Sequence, residues 1–217
     1  MVVEGGKKQK RTLSREAIVD AAYRLIDEGG FGAFTMRALG TELGVSAMAF
    51  YAHFSSREEV LAAVLARFMA TLDTDPVPGE RWDDTLRRTM KAIHGGFTSH
   101  PHLYGIDIDP LVSYEGLSAH TRKIVNLHLD QGMSEEVLTK AWAMVDAFLT
   151  GFDANAIASA QYLEAKRDEG SPAMPAWERI VHSAYSEEAF QSGVEIIING
   201  VRGIAAPDPC EWYTPLS

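Results

Sequence analysis

The chain has 217 residues, of which 46% are hydrophobic, a formal charge of −10 and a single cysteine. That length can bury a full core. No long apolar run suggests a membrane span, the polar, lysine-bearing start lacks a signal-peptide core, and Cys210 alone forbids an intrachain disulfide. These features fit a reducing cytoplasm, and Cys210 near a proline-bearing end reads as a surface residue without chemistry.

An acidic chain argues against a nucleic-acid partner, but the distribution of charge reverses that reading. Residues 1–60 balance eight basic against eight acidic residues, so the rest of the chain carries the whole −10. Lys7, Lys8, Lys10, Arg11 and Arg15 cluster at the start against Glu4 alone. A basic leading arm on a neutral head with an acidic body suits DNA contact at one end.

In chain order, residues 1–12 carry no apolar period. Ser14 caps a first helix, with Leu13 and Ile18 as its staple, and Gly29-Gly30 end it. Thr35 caps a second, whose Leu39 and Leu43 form an apolar stripe, and Gly44 is placed to stop it in the left-handed conformation. Ser46 caps a third short helix, Ala47 to Ala52, with Val45 and Phe50 as the staple. A capping box from Ser55 with Glu58, or from Ser56 with Glu59, opens a fourth helix running to about Leu72. Asp73 to Gly79, with Pro76 and Pro78, is the clearest break.

The remainder reads as helices. Trp82 to Phe97 is amphipathic and stops before Pro101. Residues 101–117 read as irregular or short helical, and a helix opens at Ser118 and ends at Gly132. Ser134 caps the longest, 135–163. Glu164 to Pro175 reads as a charged loop, Trp177 to Ala184 as a short helix, and Ser186 caps the last, 187–203. No alternating strand pattern competes, so the chain is expected to be all-α.

The helix, glycine turn and helix over Thr35–Arg57 carries a resemblance. Thr35-x-Arg37-x-Leu39, Leu43-Gly44-Val45-Ser46, Phe50-Tyr51-x-His53-Phe54 and Arg57-Glu58 resemble, in order and spacing, the DNA-binding domain of the tetracycline-repressor (TetR) family of bacterial regulators. The match runs from about Leu13 to Leu65. Met48 and Phe50 depart from residues common there, which leaves the DNA sequence preference open.

The resemblance implies a three-helix helix-turn-helix domain followed by a larger helical ligand-binding and dimerisation domain. The expected divisions are a basic arm (1–12), the DNA-binding domain (13–56), a connecting helix and linker (57–75), the body (76–206) and a tail (207–217). It implies a cytoplasmic regulator, most often a repressor, that binds an inverted repeat of double-stranded DNA as a homodimer and is released by a small molecule. A body that binds a protein partner is the alternative. No cofactor is expected. Phosphate-loop, nucleophile-elbow and His-Glu-x-x-His patterns are absent, so no enzyme activity is expected.

For DNA, the expected contacts are Thr35, Arg37, Ser46, Ala47, Met48, Tyr51, His53 and Arg57. Ala47 and Met48 offer only apolar contact of the kind that favours thymine methyls. Tyr51, His53 and Arg57 suit phosphates, and Arg37 is the strong donor near base edges. For the ligand, expected lining residues are Met90, His94, Phe97, Tyr104, Trp142, Met144 and Phe148. The last helix carries small residues at helical spacing, and three glycines inside it need an offset. Close packing within the subunit or against a second copy would supply one. Phe152, Gly193, Ile196, Ile197 and Gly200 are the expected dimer contacts. Six histidines lie in the body without metal-ligand spacing, and His100 and His102 are the pair to examine for metal.

Overall fold

The computed structural model describes residues 13–107, 110–168, 174–205 and 212–216, so the basic arm and Cys210 lie outside the described residues. Among the described residues there are nine α-helices and two 3-10 helices, and no strand. The helices are α1 (Arg15–Gly29), α2 (Met36–Leu43), α3 (Arg57–Met69), α4 (Trp82–Ser99), α5 (Pro101–Asp107), α6 (Pro110–Asp130), α7 (Glu135–Asp168), α8 (Ala176–Ser183) and α9 (Glu187–Ile204).

The helix starts in the head follow local hydrogen-bond chemistry. Ser14 accepts from the Ala17 amide at 3.2 Å, and Thr35 accepts from the Ala38 amide at 3.0 Å. Each cap satisfies an amide that would otherwise lack a partner at a helix start. Gly44 ends α2 at φ 67° and ψ 31°, the left-handed conformation that a side chain disfavours. The segment between α2 and α3 is a 3-10 helix over Ala47–Ala52, opened by the Ser46 carbonyl rather than by its hydroxyl, so the expected Ser46 cap is not formed. At α3 the capping residue is Ser56, whose hydroxyl accepts from the Glu59 amide at 3.1 Å. Glu59 reaches back to the amide and hydroxyl of Ser55, at 2.6 and 2.8 Å.

Two apolar cores result. The first joins α1, α2, the 47–52 turn and α3 to α5 through Ile18, Leu39, Phe50, Leu65 and Leu103, all fully buried. The second joins α4, α7 and α9 through Trp82, Met90, Phe152, Phe190 and Ile198. The helical head is thus continuous in packing with the first part of the body.

Three expected boundaries change. Helix α3 ends at Met69, short of Leu72, and α7 continues to Asp168, through the start of the expected charged loop. Helix α6 begins at Pro110, not Ser118. Proline is well placed in a first helical turn, where its missing N–H costs nothing. Gly116 lies inside α6 because a Cβ there would meet the Ala62 carbonyl oxygen of α3 at 2.9 Å. It marks a close helix crossing and not an irregular segment.

Part of the expected tail is built into the body. Trp82 donates to the Trp212 carbonyl at 3.1 Å, Thr214 to the Glu80 carbonyl and Gly79 to the Thr214 carbonyl, both at 2.9 Å. The Trp212 ring stands edge-on to Trp82 with centroids 5.9 Å apart. Residues 212–216 therefore strap the N-terminal end of α4.

Candidate functional site

The exposed face of the head is built around α2 and the 47–52 turn. Phe50 turns inward and is fully buried, which leaves Met48 (74% exposed) and Tyr51 (54% exposed) on the outside. Arg37 is exposed on α2, and no ion pair or side-chain hydrogen bond among the described residues holds its guanidinium. Thr35 is exposed while its hydroxyl caps α2. The Ser46 hydroxyl is exposed and unengaged by the cap, and the Ala47 side chain lies outside the described set.

Behind that face the structure holds residues for other reasons. Arg15 donates to the His53 carbonyl at 2.7 Å, pairs with Glu59 at 2.8 Å and lies 4.0 Å from the Phe54 ring centroid. The Ser55 amide and hydroxyl, with Arg15, hold the Glu59 carboxyl down to about 2. Arg57 lies over Phe31 and Phe34, 5.4 and 5.3 Å from their centroids. Its guanidinium is partly engaged as an aromatic cover, a role that spacing alone does not reveal.

In the body, α4, α6 and α7 wall a cavity of about 100 Å³. Met90, Phe97, Tyr104 and Trp142 line it, as does Met69 at the end of α3. The other three expected residues do not. His94 shares a 2.5 Å hydrogen bond with Asp153 and stacks on Phe190 at 3.9 Å, so it ties α4 to α7 and α9. Met144 points to the outside of α7 and is 60% exposed. Phe148 packs on Phe152 and Phe190, between α7 and α9.

Two histidines not expected at the ligand site line the cavity instead. His120 and His128 both lie on α6, two turns apart. Among the described residues, neither Nε2 has a hydrogen-bond partner. Burial lowers both imidazoles to about 4, assisted at His120 by Lys123 and opposed at His128 by Gln131 and Glu80. The i, i+4, i+8 spacing of His120, Ile124 and His128 was the available sequence signal. Across from them, α7 presents Asp146, Thr150 and Asp153.

His100 and His102 serve a different purpose. Their Nδ1 atoms meet the Asp27 carboxylate at 2.9 Å and the Asp27 carbonyl at 2.8 Å, joining the start of the body to α1. Among the described residues, no group of three or more His, Cys, Asp or Glu side chains is arranged to hold a metal.

The expected dimer residues divide into two sets. Phe152 is buried among Phe148, Tyr185 and Phe190, and Gly193 faces Phe148 so closely that a Cβ would meet its ring at 2.4 Å. Both pack against neighbours within the same chain. Ile197 is partly buried against the second core. Ile196 is 72% exposed, and a Cβ at Gly200 would meet nothing within 4 Å among the described residues. Helix periodicity does not tell which neighbour a face meets, so the two sets read alike in sequence.

Comparison with known proteins places this geometry. Residues 18–64 match the profile described as "Bacterial regulatory proteins, tetR family", and residues 75–204 match "Tetracyclin repressor-like, C-terminal domain". The transcriptional repressor DrrR1 of Streptomyces coeruleorubidus is 24% identical over 65% of this chain and 53% of its own length. The transcriptional repressor Rv1353c of Mycobacterium tuberculosis is 24% identical over 66% of this chain and 55% of its own. This chain thus spans about half the length of those relatives. The class C tetracycline repressor of Escherichia coli is 27% identical over 87% of this chain and 90% of its own length. Among solved structures, ActR of Streptomyces coelicolor with (S)-DNPA aligns at a TM-score of 0.68 and 22% identity, covering 89% of this chain and 98% of that one. BioQ of Mycobacterium smegmatis aligns at 0.70 and 21% identity, covering 89% and 100%. With a family profile spanning most of the body and another spanning the helix-turn-helix head, the chain belongs to the TetR family of DNA-binding transcriptional regulators.

Proposed function

We propose that this regulator is a repressor that binds an inverted-repeat operator as a homodimer and leaves it when a small molecule occupies the α4–α6–α7 cavity. The observation that carries this reading is the position of the cavity. One of its walls is α6, which also runs against α3 at the Gly116–Ala62 crossing, and α3 carries the head. A ligand that prefers one placement of α6 therefore biases the placement of α3, and only such a differential preference shifts the equilibrium. Crystal structures of the related ActR with (S)-DNPA and with actinorhodin support a ligand-responsive body.

In this reading residues 13–56 form the DNA head, 57–75 the connector and 76–206 the sensing and pairing body. Arg37 reads a base edge, Met48 contacts a thymine methyl, and Tyr51 with the Thr35 and Ser46 hydroxyls positions phosphates. Two heads on one face of the duplex require a two-fold pair, hence the inverted repeat. The face of α9 that carries Ile196 and Gly200, with Met144 on α7, supplies the pairing surface.

Unbiased selection of bound duplex DNA, repeated with small-molecule extracts, tests the proposal. An enriched inverted repeat whose binding is relieved by a dialysable molecule is expected. Failure to enrich any sequence overturns the operator reading. Enrichment that only a protein fraction relieves overturns the small-molecule reading in favour of a protein partner.

A further inference from the structure

Gln131, at the end of α6, fixes which nitrogen of His128 carries the proton. Its side-chain amide nitrogen lies 2.7 Å from the Thr85 hydroxyl, 3.0 Å from the Thr214 hydroxyl and 3.3 Å from the Glu80 carbonyl, so its two N–H groups are shared among three acceptors. The Thr85 hydroxyl gives its own proton to the Glu80 carboxylate at 2.8 Å, so it can only accept there. A carbonyl can only accept, so the amide nitrogen must face that side. The amide oxygen then faces His128 Nδ1 at 3.0 Å and can also only accept. His128 must therefore carry its proton on Nδ1, and Nε2 presents a bare lone pair.

That lone pair has an unusual setting. His128 is 2% exposed and lines the cavity, and its Nε2 has no partner among the described residues. Burial keeps the ring neutral at physiological pH, so Nε2 stays an acceptor. A buried polar atom without a partner is costly, and few native groups are left so. The hydroxyl of Thr89, another residue of the cavity wall, is already engaged with the Thr85 and Leu86 carbonyls. The surrounding wall is largely apolar: Met90, Ile124, Met133, Leu138 and Leu149.

We propose that the cavity selects an apolar-bodied molecule that carries an O–H or N–H donor and no anionic group, such as a phenol, and that His128 Nε2 accepts from that donor. This rests on the reading of the cavity as the effector site. A carboxylate would set acceptor against acceptor at Nε2, lose its hydration among apolar side chains and meet the Asp146 and Asp153 carboxylates that also line the cavity. His120, which also lines the cavity and has an unpartnered Nε2 among the described residues, sits eight residues away on α6, about 12 Å of helix rise. It gives a longer ligand a second polar end.

The test uses the whole protein and two probes of matched shape, phenol and toluene. Long-range nitrogen–proton NMR first reads the tautomer of His128 in the free protein, with the signal assigned by its loss in His128→Phe. The Nδ1–H form is expected, and the Nε2–H form overturns the proposal without relying on any variant. Binding titrations then compare the phenol-to-toluene affinity ratio in wild type and His128→Phe. The ratio should fall roughly 3- to 10-fold in the variant, the scale of one net hydrogen bond. An unchanged ratio, or no binding of either probe, overturns it. Release of operator DNA by phenol is scored separately: binding with the expected preference but without release counts against small-molecule control and leaves the donor–acceptor pairing standing.

Discussion

Gly116 of α6 lies against Ala62 of α3 so closely that a Cβ on Gly116 would stand 2.9 Å from the Ala62 carbonyl oxygen and 3.0 Å from the Leu65 Cβ. The obstacles are backbone and a side-chain stem, neither of which can swing aside. In the proposed ligand response, this close crossing is where a displacement of α6 would reach α3 with little slack, because packed interiors do not deform continuously.

Replacing Gly116 decides between two opposed effects. Alanine in a helix interior is favoured over glycine by up to about 1 kcal/mol. Overpacking a close crossing costs about 1–3 kcal/mol. The overlap with backbone should win, so Gly116→Ala should lower unfolding free energy in urea, and Gly116→Val should lower it further. Because the displaced partner is α3, operator affinity should change in the same variants. A stabilised Gly116→Ala with wild-type operator affinity would show that the two helices slide past each other freely.

In the head, Arg37 and Arg57 should behave differently. Arg37 is exposed and has no partner for its guanidinium among the described residues, so Arg37→Ala should leave the midpoint of thermal unfolding unchanged. It should remove about 1–3 kcal/mol of discrimination at one position per half-site, read by binding-site selection. Arg57 covers Phe31 and Phe34, so Arg57→Ala should cost about 0.5–1 kcal/mol of stability as well as weaken binding to all sequences. Equal base preference in wild type and Arg37→Ala would remove that residue from readout.

Acid should expose the buried imidazoles. His128 is held near 4 in the folded chain against an ordinary value of 6.5. Between those values the unfolded chain binds a proton that the folded chain refuses, so stability is intact above pH 6.5 and falls as pH drops toward 4. The loss from His128 is on the order of 3 kcal/mol across that window, with His120 adding in the same direction. Glu59, held down to about 2, contributes stability that is present above its ordinary 4.5 and lost as pH falls toward 2, so its effect begins where that of His128 ends. Urea titrations at pH 7 and 5 should show the drop in wild type and a smaller one in His128→Phe. An equal drop in both would show that His128 is protonated in the folded chain.

What was legible in sequence was local. Ser14, Thr35 and Ser56 cap amides three residues onward, and Gly44 stops the helix it follows, so a short window holds the whole cause. The start of α6 was misread because the reason for Gly116 sits on Ala62, in another helix. The role of His128 was hidden for the same reason, since its tautomer depends on Thr85, Glu80 and Thr214 acting through Gln131. Residues of similar type on one helix, such as Met90, which lines the cavity, and His94, which binds Asp153, were separated only by tertiary packing.

Gly193 and Gly200 lie two turns apart on α9 and should respond oppositely to substitution. A Cβ on Gly193 meets the Phe148 ring at 2.4 Å, so Gly193→Ala forces that ring out of its stack with Phe190 and should destabilise the chain by about 1–3 kcal/mol. A Cβ on Gly200 meets nothing within 4 Å among the described residues, so none of them opposes Gly200→Ala, and helix propensity favours it by up to about 1 kcal/mol. A larger group separates fold from assembly. Gly200→Arg places a long charged side chain beside Ile196, where a two-fold partner would bury it twice. Light scattering on eluted protein should then show Gly200→Arg as a folded monomer with weakened operator binding, beside a dimeric wild type. A dimer that survives Gly200→Arg unchanged would move the pairing surface off this face of α9.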